Sequence, residues 1–84
     1  MTDITITLDE RAKTHGDFSD VAFISQAIKS LINESKADFP DEQREALDLI
    51  ASKIARICSG NNNDPDHWRD IEGYSRLARK QLEY

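Results

Sequence analysis

The chain has 84 residues, of which 38% are hydrophobic and 32% charged, with a net charge of −5. That is length for one domain with a thin core, burying roughly 60–65% of its unfolded surface. An acidic chain repels phosphate backbones, which argues against non-specific nucleic-acid binding, and no apolar run approaches a membrane span.

The first residues alternate: Ile4, Ile6 and Leu8 with Thr5 and Thr7 between them. This strand-like pattern has no partner in the chain, so residues 1–7 are expected as an arm that packs on the core or on another subunit. Thr7 and Glu10 have capping-box spacing and predict a short helix over about residues 8–14, ended by Gly16.

Phe18, Val21, Ala22, Ile24, Ile28, Leu31 and Ile32 recur at three- and four-residue steps. They predict a first long helix over about residues 19–35, with Ser19 or Asp17 as its cap. Residues 36–39 connect it to the next, because Pro40 disfavours helix at Phe39 and suits a first turn. A second long helix is predicted over residues 41–59. Asp41 and Glu42 complement its dipole, Ala46, Leu47, Ile50, Ala51, Ile54 and Ile57 line one side, and Gly60 ends it. Asn61, Asn62 and Asn63 form a loop. Asp64 then caps, and Pro65 opens, a third helix over about residues 65–82, with Trp68, Ile71, Ser75, Ala78 and Leu82 on a shared face. Short connections make this an all-α, antiparallel three-helix bundle in a single domain, residues 1–84. A thin core and a polar surface favour self-association, so a homo-oligomer is expected.

The single cysteine, Cys58, excludes an internal disulfide and fits a reducing cytoplasm. It falls beside the apolar stripe and reads as a small core residue. No signal peptide is recognised at the start, so a cytoplasmic location is expected.

Two kinds of site are readable. On the second helix Glu45 and Asp48 point the same way, opposite the Ile50, Ile54 and Ile57 face, with Ser52 and Arg56 continuing the stripe. On the third, Asp66 and Asp70 share a face, with Gly73 one turn on. Together Glu45, Asp48, Asp66 and Asp70 could hold Mg²⁺, which prefers oxygen ligands, and with it polarise a nucleotide phosphate. The plainer reading is a solvated face with intrahelical ion pairs, such as Asp66 or Asp70 with Arg69.

The second kind is a binding face built from His15, Asp17, Lys53, Arg56, Asp70 and Tyr74. His15 is expected in a turn, as a ligand-binding or acid–base group; its plain alternative is a ring bonded to backbone. Lys53 lies at the margin of the core stripe, either snorkelling to water or reaching an acid, with Asp70 as its expected partner. Gly73 costs its helix about 1 kcal/mol relative to alanine. Close packing of another backbone there is favoured over approach of a ligand. Tyr74 beside it carries a polar tip for a pocket or interface. His67 is expected at the core edge. Arg76, Arg79 and Lys80 cluster where a helix dipole favours positive charge. No zinc spacing, phosphate loop or nucleophile elbow is present in the sequence.

Four blocks carry a resemblance: Arg11 with His15-Gly16-Asp17-Phe18; Glu45-Ala46-Leu47 with Ile50-Ala51; Lys53-Ile54 with Arg56-Ile57; and Asp66-His67-Trp68 with Asp70-Ile71 and Gly73-Tyr74. In order and spacing they resemble a family of small proteins of tailed phages and prophages. The resemblance spans residues 11–77 and implies a phage origin, with a host cytoplasm as its setting. More weakly, Glu45-x-x-Asp48 is similar to the E-x-x-D motif of all-α nucleoside triphosphate pyrophosphohydrolases, which hold Mg²⁺ between helices. Their E-x-x-E motif is absent here. The leading expectation is therefore a non-enzymatic, oligomeric accessory module for a host protein or small ligand, with no cofactor. The alternatives are a Mg²⁺-dependent pyrophosphohydrolase-like enzyme or relic, and a nucleotide-sequestering protein.

Overall fold

The three apolar periodicities become three α-helices in the computed structural model, which describes residues 17–60 and 62–83. They are α1 (Phe18–Glu34), α2 (Asp41–Ser59) and α3 (Pro65–Lys80). Among the described residues there is no strand, and the all-α three-helix bundle expected from the sequence is the fold. The expected arm and first short helix, with Arg11, His15 and Gly16, lie outside the described residues.

Local chemistry accounts for the helix ends. The Asp17 carbonyl accepts the first bond of α1 from the Val21 N–H at 3.0 Å, while its side chain makes no capping bond. Pro40 occupies the N-cap of α2, and its carbonyl accepts from the Arg44 N–H at 3.0 Å. Asp41 and Glu42 follow in the first turn, where unpaired N–H groups favour negative charge. The Gly60 N–H closes α2 onto the Arg56 carbonyl at 2.8 Å. Asp64 Oδ1 accepts from the Asp66 N–H at 2.9 Å and Pro65 opens α3, as the sequence pattern anticipates. The third helix stops at Lys80, short of the expected residue 82. The chain leaves in a turn closed by the Leu82 N–H on the Arg79 carbonyl at 2.9 Å.

The middle helix carries the packing. It contacts α1 on one side and α3 on the other, and no Cα of α1 comes within 8 Å of one of α3. α2 therefore needs two inward faces. Toward α1 it offers Ser52, whose hydroxyl lies 3.3 Å from that of Ser25. Since Ser52 donates to the Asp48 carbonyl, also at 3.3 Å, Ser25 is the donor to Ser52. Ala51 and Ala55 share this side at three- and four-residue steps from Asp48 and Ser52, and Ala55 is 0% exposed. Small side chains let two helix backbones approach closely, which suits buried alanines to a helix–helix contact. Toward α3, α2 offers Glu42, Ala46, Leu49 and Lys53, again one helical stripe.

Two residues of the expected α2 face, Ala46 and Ala51, are buried, but its isoleucines are not the centre of the core. Ile50, Ile54 and Ile57 fall between the two contact faces, beside a gap that no α1–α3 contact closes. Ile50 and Ile57 are half-buried, and Ile54 is 36% exposed. The Asp48–Ser52 stripe was expected opposite the core and instead turns toward α1. Cys58, expected in the core, is exposed. On α3 the inward residue is His67, fully buried, with half-buried Ile71, Tyr74 and Ala78 following at helical steps. Trp68 is 55% exposed, and its indole N–H donates to the Asn62 carbonyl at 3.0 Å, tying the loop to the helix. An indole N–H needs an acceptor, and the loop beside α3 supplies one.

Candidate functional site

The seam between α2 and α3 joins the features that sequence reasoning singled out separately. At its mid-height Lys53 Nζ meets Asp70 Oδ2 at 2.8 Å. The lysine side chain is only 14% exposed, so its stem is covered and its ammonium emerges at the partner. The hydrogen bond from Lys53 is the largest influence on Asp70 and holds its carboxyl below the ordinary 3.8. Partial desolvation opposes it, and the charges of Lys53, His67 and Arg69 add to it.

One turn along each helix from this pair, the seam opens into a groove of about 350 Å³ lined by Asp41, Glu42, Glu45, Ala46, Leu49, Tyr74 and Leu77. Its apolar surface comes from Ala46, Leu49 and Leu77 with the Tyr74 ring. Leu77 is 61% exposed, which is what an open groove leaves on a large apolar side chain. Three carboxylates sit at one rim because the first turn of α2 collects Asp41 and Glu42, and Glu45 follows one turn on. A dipole preference that is local to the helix thus gives the groove its charge.

Of the expected binding face, Lys53 and Asp70 are brought together, and Tyr74 follows Asp70 by one turn along the seam. Arg56 is half-buried on α2, three residues past Lys53, while Asp17 is exposed at the start of α1. His15 lies outside the described residues. The structure does not gather the four expected magnesium ligands. Asp48 faces Arg44 Nε at 3.5 Å, Asp66 pairs with Arg69 Nη1 at 3.1 Å, Asp70 holds Lys53, and Glu45 lines the groove. Among the described residues no group of three or more His, Cys, Asp or Glu side chains is placed to hold a metal ion. The physical reason is that α2 turns Glu45 and Asp48 into different surroundings, one to the groove and one to the α1 side.

Gly73 is a second correction. Among the described residues a Cβ built there meets nothing within 4 Å, so none of their backbone packs against it. Sequence reasoning did not single out Leu49 and Leu77. Leu49 was missed because α2 was assigned one apolar face. A signal existed: Ala46, Leu49 and Lys53 form their own three- and four-residue series.

No family model, curated protein or solved structure matches this chain.

Proposed function

We propose that this chain is a non-enzymatic docking module that binds a protein segment in the α2–α3 groove. The observation that supports it is the pairing of an apolar floor with a one-sided acidic rim: Ala46, Leu49, Tyr74 and Leu77 beneath Asp41, Glu42 and Glu45. Such a groove favours an amphipathic helix with an aliphatic anchor and lysines or arginines beside it. The buried anchor contributes most of the affinity, and the carboxylates select and steer the basic flank. The Lys53–Asp70 pair closes one end of the groove at the middle of the seam and keeps α3 in register on α2.

The block resemblance to tailed-phage proteins supports a phage-encoded accessory role in a host cytoplasm. Binding to a macromolecule rather than turnover is the role this geometry favours. The test is fluorescence anisotropy of a labelled helical peptide carrying leucines at i and i+4 with lysines around them. The expected result is saturable binding, lost in Leu49→Asp and weakened by salt. Binding unaffected by Leu49→Asp would remove the groove from the proposal.

A further inference from the structure

The residues around the rim of this groove are arranged in a fixed order on the outside of α3. Moving around the helix from the α2 side, the surface runs from the carboxylates of Glu42 and Glu45, across exposed Leu77, to Gly73, and then to Lys80 and Arg76. Helical spacing sets the second half of that order: Gly73, Leu77 and Lys80 lie within one stripe, with Arg76 at its far edge. The acids and bases stand at the same height, because antiparallel packing brings the first turns of α2 beside the last turns of α3. At the centre of the strip a Cβ on Gly73 would meet nothing, so a second helix can come close there.

We infer that the partner of the groove is a second copy of this chain, paired α3 to α3 about a two-fold axis running along the helices. This rests on the docking role proposed above and names its partner. Rotation about such an axis exchanges the two edges of the strip. One copy's Glu42 and Glu45 then lie opposite the other's Arg76 and Lys80, and the same match recurs on the other side. Leu77, which lines the groove, meets its counterpart across the low centre at Gly73, so the second copy covers the α3 wall of the groove. The alternative two-fold, perpendicular to the helices, sets acid against acid and is disfavoured by like-charge repulsion. Charge therefore selects the parallel arrangement, and the exposed leucine with the open glycine gives it an apolar centre.

Two full-length variants test the pairing: Glu42→Lys with Glu45→Lys, and Arg76→Glu with Lys80→Glu. All four side chains are exposed, so each variant is expected to fold, which circular dichroism checks. By sedimentation velocity the unaltered chain is expected to dimerise, with the dimer weakening as salt rises. Each variant alone should lose affinity by roughly tenfold or more, since every substitution counts twice across the axis. Mixed, the two variants should form a heterodimer, because every reversed charge then meets its opposite. Both remain net negative, so overall charge does not draw them together. A chain that stays monomeric, variants that dimerise as the unaltered chain does, or a mixture that stays unpaired would each overturn the inference. If the chain is monomeric yet still binds the basic peptide, the docking role stands and its partner is foreign. If neither occurs, both fail.

Discussion

The tight α1–α2 contact makes its own prediction, with Ala55 as the place to press on it. Ala55 is 0% exposed and shares a face with Ser52, which meets Ser25 of α1. Ala55→Leu adds three carbons at a position with no exposed surface, and the change in helix propensity is only about 0.2 kcal/mol. Overpacking a closed site costs about 1–3 kcal/mol. For a domain of this size each kcal/mol moves the midpoint by about 4–8 °C, so a fall of roughly 5–20 °C is expected in a thermal melt. Ala27→Leu, on the exposed side of α1, is the control and should stay within about 0.5 kcal/mol. Ile54→Ala completes the comparison. A closed core position would lose about 2–5 kcal/mol, whereas a side chain 36% exposed beside an open gap should lose only about 1 kcal/mol. Urea unfolding of the three variants gives the ranking. If Ala55→Leu is neutral and Ile54→Ala is the most damaging, the isoleucine stripe is the core and the account of α2 as a two-faced helix is wrong.

Gly73→Ala should stabilise the dilute chain by about 1 kcal/mol, because helix propensity improves and the added methyl meets nothing; a loss in denaturant titration would mean that something packs there. Asp64→Ala should lower stability by about 0.5–2 kcal/mol by removing the bond to the Asp66 N–H, measured in the same way. The Asp70 carboxyl is held below 3.8 by Lys53, so its ionised form is favoured by folding. Its contribution is thus complete above 3.8 and is lost as pH falls through the lowered folded-state value. The stability gap between the unaltered chain and Asp70→Asn should accordingly be flat near neutrality and narrow only in acid. An NMR titration placing the Asp70 midpoint above 3.8 would contradict the ion pair.

Much of this protein follows from local chemistry. Apolar steps of three and four residues, Pro40, Gly60 and the Asp64-Pro65 pair locate three helices and their ends, because capping and periodicity act within a few residues. The Lys53–Asp70 partnership was also legible, since a lysine at the edge of an apolar stripe needs a covered stem and an acid within reach. What periodicity could not decide is which arc of each helix turns inward. α2 has neighbours on two sides that do not touch each other, so its most buried residues are Ala51 and Ala55 rather than its largest side chains. The same rotation separates Glu45 from Asp48, buries His67 in place of Trp68 and leaves Gly73 open. The groove exists only once α3 lies against α2, because α2 supplies the acidic rim and half of the floor while Tyr74 and Leu77 come from α3, which only tertiary packing brings together.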